Sequence, residues 1–371
     1  MYKKGHLLVI VLPLSTVIDW QMILKSKYIR FGALALLLGT GLAGKVFQLS
    51  AMPFDADDFQ RFEFRSFHMG SQFRVVIYAN DHDCAQSAAD SAFAMAEYLN
   101  SIFSDYDPDS ELSQLSVRAE PGRYIPVSKH MYRLLETAQT IAVESGGAFD
   151  ITMGPLTHLW RDFIRGNRTN PPTSYEIESA RRRIGFWNLS LDSDSRSVSL
   201  KKNGMILDAG GIAKGYTAER MSETLLSHGF MHTLVDAGGD IVLGDAPPGS
   251  DGWEIAIPIH DHDARRSFII FSLQRTAFTT SGDLFQFIEH GGKRYSHIID
   301  PSTGIGLTRQ TSATVIGGEG AAVDAWATAL NVLGGKVGVD LLSRKNGFHA
   351  RIEVMDSLGI SIYKTADFGS L

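Results

Sequence analysis

Residues 208–215 read Asp-Ala-Gly-Gly-Ile-Ala-Lys-Gly, between an apolar pair at 206–207 and an apolar helical pattern at 212–227. This order predicts a short strand, a glycine turn and a helix. A helix N-terminus presents unpaired N–H groups and a partial positive charge, so the turn suits a phosphate group, and Lys214 would add a charge. The alternative is a tight turn in which Asp208 only caps the helix.

The rest of the chain alternates between helical and strand-like patterns. Apolar residues recur at helical spacing over 83–103, 128–144, 212–227 and 319–333. Runs typical of strands cover 73–78, 234–243, 253–259, 267–278, 312–317 and 350–363. The strand runs after residue 230 follow one another too closely for a parallel sheet with a helix in each connection. We therefore expect a mixed α+β fold, with the polar segment 165–173 as a surface loop.

Length and composition exclude some classes of function. The chain has 371 residues, 44% hydrophobic and 20% charged, with a formal net charge of −6. This is enough for one large domain or two of ordinary size. No basic face would neutralise phosphates, so no nucleic-acid partner is expected, and we interpret the arginine triplet 181–183 as a solvated helix face. The single cysteine, Cys84, excludes an intrachain disulfide and a Cys-x-x-Cys zinc site, so any metal would have oxygen or imidazole ligands.

Residues 1–51 have the pattern of a secretory signal. Basic residues within 25–30 precede the apolar run 31–38, and small residues follow it. The run is short for a membrane span, and no cysteine follows it to carry a lipid. We expect residues 1–51 to be a signal peptide or an N-terminal anchor to the inner membrane. Residues 52–371 would then be exported to the periplasm, with a cytoplasmic location as the alternative.

The expected helix at 319–333 carries a candidate metal site. Asp324 and Thr328 lie four residues apart, so their side chains share one face of the helix. A carboxylate and a hydroxyl group are the hard oxygen ligands that Mg²⁺ prefers. The alternative is structural, because the helix dipole favours an early aspartate and a threonine can bond back to a carbonyl group.

Two further segments place polar side chains beside turns. His297 lies at a strand end before the turn at 300–304, and a neutral imidazole there could accept a proton from a hydroxyl group. Segment 145–152, Ser-Gly-Gly-Ala-Phe-Asp-Ile-Thr, sets glycines and an aromatic ring beside an acid, as the lining of a planar ligand would require. The alternatives are a structural histidine and an ordinary helix end followed by an aspartate-capped turn.

Taken in this order, the segments resemble the FAD:protein FMN transferases, the flavin-trafficking family often called ApbE. The resemblance rests on seven stretches: 68–71 (His-Met-Gly-Ser), 103–112, 147–152, 208–215, 280–283 (Thr-Ser-Gly-Asp), 297–304 and 324–328. It implies one large α+β domain over residues 52–371, with mixed, largely antiparallel sheets flanked by helices.

The resemblance also implies roles for individual positions. Members of this family contact FAD at the positions held here by Met69, Tyr106, Ala148, Phe149, Asp150, Asp208, Lys214 and Ile298. They bind Mg²⁺ at the positions of Gly211, through its backbone carbonyl, Asp324 and Thr328. Ala327 stands where some relatives have a ligating serine, and an alanine offers only its carbonyl. Position 214 is acidic in some members and basic in others, so Lys214 is a poor guide to activity.

The implied reaction is the Mg²⁺-dependent transfer of FMN from FAD to a Ser or Thr hydroxyl of an acceptor protein, with release of AMP. His297 is the candidate general base, and Asp300 is the alternative. The implied acceptor is a flavoprotein subunit of a membrane electron-transfer complex. Two other functions fit the same residues: an FAD pyrophosphatase that uses water as the nucleophile, and a periplasmic flavin-binding protein without catalysis.

Overall fold

A computed structural model describes residues 59–260, 266–283, 286–356 and 359–369. The predicted signal or anchor at 1–51 lies outside these ranges. Within them, no helix combines the length and the apolar character that a membrane span requires.

The helices and strands follow one another along a single chain. The helices are α1 (His82–Phe103), α2 (Glu111–Arg118), α3 (Lys129–Glu144), α4 (Gly154–Ile164), α5 (Ser174–Arg181), α6 (Ala213–Ser227), α7 (Gly320–Leu333) and α8 (Gly335–Leu342). The first strands are β1 (Gln60–His68), β2 (Ser71–Ala79), β3 (Ile125–Pro126), β4 (Leu189–Asp192), β5 (Ser197–Leu200), β6 (Thr233–Ala237), β7 (Asp240–Leu243) and β8 (Trp253–His260). The later strands are β9 (Arg266–Leu273), β10 (Thr276–Gly282), β11 (Phe287–His290), β12 (Lys293–Ser296), β13 (Ile299–Asp300), β14 (Ile305–Gly306), β15 (Gln310–Gly317), β16 (His349–Asp356) and β17 (Gly359–Lys364).

Eight strands form one central sheet in the order β1-β2-β6-β7-β10-β15-β16-β17. Every neighbouring pair in this sheet is antiparallel. A smaller sheet has three strands in the order β3-β5-β4. Three further sheets have two strands each: β8–β9, β11–β12 and β13–β14. The predicted α+β class with largely antiparallel sheets is therefore confirmed.

Both faces of the central sheet are buried, because side chains alternate between two separate cores. Val75 packs in the larger core, which the sheet shares with α1, α6 and α7. Its neighbour Val76 packs in a second core against the β8–β9 hairpin, beside Trp253 and Phe271. A third, smaller core around Trp160 holds α4 and α5 beside the turn that precedes β14.

Several boundaries agree with the sequence. The helix predicted to begin at Ser128 does so, because the hydroxyl oxygen of Ser128 accepts the N–H of Met131 at 3.1 Å. Segment 165–173 connects α4 to α5 as predicted, and Thr173 and Glu176 form a capping box at the start of α5.

Other boundaries differ from the sequence prediction. Each of the strand runs predicted at 234–243, 267–278 and 350–363 contains two strands rather than one. Gly238 and Gly239 make the turn in the first of these runs with positive φ angles. The strand predicted at 206–207 is reduced to one isolated bridge. Helix α8 was not predicted, since it begins directly after the glycine that ends α7.

Helices α6 and α7 approach closely because each has a glycine where they meet. A Cβ atom built on Gly215 would overlap the carbonyl oxygen of Gly320, and a Cβ atom on Gly320 would overlap the carbonyl oxygen of Gly215. No larger residue fits at either position without moving a helix. This contact sets the first turns of the two helices side by side.

We expect Gly215→Ala to destabilise the protein, because the added methyl group has no space between the two helices. Overpacking of this kind lowers the free energy of unfolding by about 1–3 kcal/mol. Urea denaturation measures the loss. Gly318→Ala is the matched control, since a Cβ atom at Gly318 has nothing within 4 Å. Equal stability of the two variants would contradict the close contact.

Candidate active site

The turn at 208–215 leads into α6, although Asp208 does not cap that helix. The residue that flanks the start of α6 is Ile212, and no side chain caps the helix there. Asp208 lies four residues earlier, where its Oδ1 accepts the N–H of Gly210 at 2.8 Å. Its own N–H donates to the carbonyl of Ile151 at 2.8 Å. The interpretation of Asp208 as a helix cap is therefore wrong, and its carboxylate instead folds the turn.

The three residues predicted to bind Mg²⁺ lie together where α6 meets α7. The N–H of Gly215, in the first turn of α6, donates to Asp324 Oδ2 at 3.1 Å. One turn further along α7, Thr328 lies against Gly211, because a Cβ atom on Gly211 would be 2.8 Å from Thr328 Oγ1. The short contacts permitted by Gly215 thus set a carboxylate and a hydroxyl group beside the glycine turn.

The carboxyl group of Asp324 is buried, and nearby groups offset only part of the cost of burying its charge. Asp324 is 4% exposed. Burial and the nearby carboxylate of Asp240 raise its pKa to about 7, whereas the charge of Lys214 and the N–H of Gly215 oppose that shift. A buried carboxyl group in this situation would gain from a cation beside it. Within the described ranges, however, no three His, Cys, Asp or Glu side chains are grouped so as to hold a metal ion.

Lys214 forms an ion pair rather than extending freely from the turn. Its Nζ contacts Asp240 Oδ2 at the start of β7. The Lys214 side chain is 30% exposed, whereas that of Asp240 is 2% exposed. Burial would lower the pKa of Lys214, but the charges of Asp240 and Asp324 more than offset it and raise that pKa. The ammonium group is therefore charged, and the side chain that carries it is partly exposed.

Ala327 contributes no ligand in this arrangement. Its side chain is fully buried within α7. Its carbonyl oxygen accepts the side-chain amide of Asn331 at 2.8 Å. The one oxygen that an alanine can offer is therefore already hydrogen-bonded.

An aromatic and basic cluster lies beside Asp208. The exposed ring of Tyr106 is covered by the guanidinium groups of Arg161, at 4.3 Å from the ring centroid, and Arg165, at 4.9 Å. Arg161 Nη2 also lies 2.5 Å from Asp105 Oδ2 and 3.3 Å from Asp208 Oδ2. Arg161 thus connects two of the positions predicted to contact FAD, although no sequence pattern singled it out.

The predicted ring-lining segment 148–150 adjoins a cleft of about 600 Å³. Ala148 and Asp150 line this cleft, whereas the side chain of Phe149 is 4% exposed in the main core. Asp150 accepts hydrogen bonds from the N–H and hydroxyl of Thr152 at 2.8 and 2.7 Å, and from the N–H of Phe186 at 2.9 Å. Its carboxylate therefore organises two loops, as an aspartate-capped turn would.

The sequence did not identify several residues that line the same cleft. They include Arg181, Trp187 and Lys202. Arg181 donates to the carbonyl of Ser302 at 2.7 Å, so it is not only part of a solvated helix face. Val332 also lines the cleft and lies one turn after Thr328 on α7, so the cleft and the α6–α7 contact share one helix face.

His297 is held in one orientation by the backbone. Its Nδ1 lies 3.0 Å from the carbonyl oxygen of Gln286, which can only accept a hydrogen bond, so Nδ1 carries the proton and Nε2 has a free lone pair in the neutral ring. Burial lowers the pKa of His297, although the carbonyl of Gln286 and the charge of Asp283 oppose it. The ring is therefore neutral at pH 7 and can accept a proton at Nε2.

Asp300, the alternative base, is occupied within its own turn. Its Oδ1 accepts the N–H and the hydroxyl of Ser302 at 2.8 and 2.6 Å. Its backbone carbonyl accepts the N–H of Gly304 at 2.7 Å. These bonds favour His297 over Asp300 as a base.

The remaining predicted positions, Met69 and Ile298, are placed by turns. Met69 and Gly70 connect β1 to β2 with φ angles of 47° and 73°, as a two-residue hairpin requires. The hydroxyl of Thr217 on α6 lies 3.6 Å from the Met69 sulfur, which sets this turn beside the helix. Ile298 is 7% exposed and directly follows His297.

A model of the ApbE family matches residues 69–352, which is well over half of the chain. The chain belongs to the ApbE family. Among curated relatives, the FAD:protein FMN transferase of Klebsiella pneumoniae (strain 342) is 27% identical over 303 residues, covering 81% of this chain and 86% of the relative. The FAD:protein FMN transferase of Treponema pallidum (strain Nichols) is 30% identical over 297 residues, covering 76% of this chain and 81% of the relative.

Solved ApbE structures have the same fold. The flavin transferase ApbE from Vibrio cholerae superposes with a TM-score of 0.74 at 26% identity, covering 84% of this chain and 98% of that one. The apo form of the Pseudomonas stutzeri flavinyl transferase ApbE gives a TM-score of 0.74 at 28% identity, covering 84% of this chain and 96% of that one. The predicted family, fold and transferase class are confirmed.

The raised pKa of Asp324 predicts how pH affects the stability of this ApbE protein without metal. The folded chain releases the Asp324 proton near pH 7, whereas an unfolded aspartate releases it near its ordinary value of 3.8. The folded state therefore holds one more proton between these values, and the free energy of unfolding falls as pH rises, by at most about 1.4 kcal/mol per pH unit.

Denaturation in EDTA at pH 5 and pH 7.5 measures this effect. Asp324→Asn is the control, because an amide has no proton to release and should lose less stability over the same interval. Parallel pH profiles for the two proteins would contradict the raised pKa.

Proposed function

We propose that this ApbE protein transfers FMN from FAD to a Ser or Thr hydroxyl of an acceptor protein, with Mg²⁺, and releases AMP. The relatives named FAD:protein FMN transferase support the substrate and the group transferred. The observation that carries the proposal is the contact between α6 and α7, which sets Asp324 and Thr328 beside the glycine turn at Gly211.

The residues at this contact suit Mg²⁺ on chemical grounds. The carboxylate of Asp324, the hydroxyl of Thr328 and the backbone carbonyl of Gly211 are hard oxygen donors, which Mg²⁺ prefers. A single buried carboxylate with a raised pKa is a site that a divalent cation would stabilise. When bound, Mg²⁺ would neutralise negative charge on the pyrophosphate.

FAD would bind along the surface that joins the cleft to the helix contact. The cleft of about 600 Å³ that Ala148, Asp150 and Trp187 line has room for one ring system of the dinucleotide. The exposed ring of Tyr106, with its two arginines, offers a second stacking surface near Asp208. The pyrophosphate would then lie between them, at the N-terminus of α6 and beside the Lys214 ammonium group.

The transfer is a substitution at phosphorus. The acceptor oxygen forms a bond to the FMN-side phosphorus, and the bond from that phosphorus to the bridging oxygen breaks. AMP leaves with the bridging oxygen, and the acceptor retains FMN through a phosphoester bond. His297 Nε2 takes the proton of the attacking hydroxyl, because its Nδ1 is engaged by Gln286 and its ring is neutral.

The compartment is proposed from sequence features, and the acceptor is proposed from the family resemblance. We propose a periplasmic protein whose segment 1–51 is a cleaved signal or an anchor to the inner membrane, as its basic and apolar order favours. The acceptor would be a flavoprotein subunit of a membrane electron-transfer complex. Such an acceptor would present its Ser or Thr outside the cytoplasm.

Asp324→Ala should abolish transfer, with a loss of about 10²-fold or more, because the site would lose its carboxylate ligand for Mg²⁺. The assay incubates the protein with FAD, Mg²⁺ and a candidate acceptor, and follows AMP release and the mass of the acceptor. An acceptor heavier by FMN supports transfer. AMP without a modified acceptor would indicate a pyrophosphatase, and FAD binding without AMP would indicate a binding protein. Full Mg²⁺-dependent activity in the variant would contradict the metal assignment.

At saturating Mg²⁺, which would keep Asp324 ionised, the rate of transfer should be independent of pH near 7 and should fall on the acid side as His297 gains a proton. The midpoint of that fall lies below the ordinary histidine value of 6.5, because burial lowers this pKa. His297→Gln should lower kcat by about 10²–10⁴-fold and remove the acid limb. If His297→Gln keeps the wild-type pH profile, another group must be the general base.

A further inference from the structure

The tetrapeptide Asp-Ala-Gly-Gly occurs a second time, at 236–239, and the residue after it, Asp240, has no role in the function proposed above. Asp240 is 1% exposed at the start of β7. Its Oδ1 accepts the hydroxyl of Thr279 at 2.7 Å on the neighbouring strand, and its Oδ2 contacts Lys214 Nζ. Two partners therefore fix a carboxylate that ligands cannot reach.

Lys214 lies between two buried carboxylates. Its charge acts on Asp324 as well as on Asp240, and its direct contact is with Asp240. The third nearby carboxylate, Asp236, is already engaged by Arg74 at 3.1 Å and by the N–H of Gly239 at 2.8 Å. Asp324 is therefore the carboxylate that would attract the Lys214 ammonium group if Asp240 lost its charge.

We propose that Asp240 is a positioning residue that holds the Lys214 ammonium group away from Asp324 and so keeps the Asp324 carboxylate free to bind a divalent cation. The single ammonium group of Lys214 cannot form a close ion pair with both carboxylates at once. The hydrogen bond from Thr279 holds Asp240 in position for its ion pair with Lys214. This inference rests on the Mg²⁺ site of the proposed function. Asp240 itself does not touch the substrate, so its effect passes through Lys214.

The test is Mg²⁺ binding to the full chain without FAD, measured by calorimetry with MgCl₂ alone. Asp240→Asn should weaken Mg²⁺ binding by about tenfold or more, because Lys214 would turn to Asp324. Adding Lys214→Met to that variant should restore binding, since the competing ammonium group is gone. Wild-type affinity in Asp240→Asn would overturn the proposal.

Asp236→Asn is the matched control, because it makes the same substitution at a nearby, largely buried carboxylate that pairs with Arg74 instead of Lys214. The proposal predicts nearly unchanged Mg²⁺ binding in this control. Equal weakening in Asp236→Asn and Asp240→Asn would mean that net charge alone matters, and would overturn the positioning role.

Thr279→Val keeps the test decisive if Asp240→Asn fails to fold. It removes the hydrogen bond to Asp240 without changing any charge, and should weaken Mg²⁺ binding a few-fold in the same direction. Unchanged binding in this folded variant would overturn the proposal. Asp324→Ala tests the proposed metal site separately from the role of Asp240. Wild-type Mg²⁺ binding in that variant would reject the metal site itself.

Discussion

The contact between the first turns of α6 and α7 is the constraint on which the candidate site depends. Gly215 and Gly320 let the two backbones meet where any side chain would push them apart. Only at that separation can the N–H of Gly215 reach the Asp324 carboxylate. The same approach sets Thr328 against Gly211. Two glycines with no chemistry of their own thus position every group predicted to bind metal.

The buried charges around this contact are compensated unequally. Asp236 has Arg74, and Asp240 has Lys214 together with the hydroxyl of Thr279. Asp324 is buried beside the like charge of Asp240, and the charge of Lys214 and the N–H of Gly215 only partly oppose these two effects, which is why its pKa rises so far. The protein therefore tolerates one poorly neutralised carboxylate at the place where two helices and a glycine turn meet. Such a local cost to stability is typical of a binding site.

The fold class and the helices α1, α3, α6 and α7 could be predicted because their signals are local. Ser128 begins α3 because a serine hydroxyl can accept an N–H from the first turn. The hairpins at 234–243 and 350–363 escaped prediction, since the residues on both sides of each break have strand-like patterns and only the observed pairing shows that the chain reverses between them. The alternative role of Asp208 as a helix cap could be rejected only from the observed course of the turn, in which its carboxylate accepts the N–H of Gly210.

The predicted site residues came from motif order, whereas their partners required the structure. Arg161 and Asp240 interact with Asp208 and Lys214 across long stretches of chain, so no spacing in the sequence marks them. The sequence shows the repeated tetrapeptide at 236–239, but the residues around the two copies differ, so the repeat does not indicate that Asp240 pairs with Lys214. The protonated nitrogen of His297 likewise depends on the carbonyl of Gln286, which no pattern reveals.

The hydrogen bond between Gly215 and Asp324 joins residues that are 109 positions apart in the chain. Closing so large a loop is slow and costs entropy, so such contacts form late in folding. The central strands β6, β7, β10 and β15 lie between the two helices in sequence, so this contact encloses half of the central sheet. The proposed cation site is therefore complete only in the folded chain, and a cation bound there would stabilise the folded state.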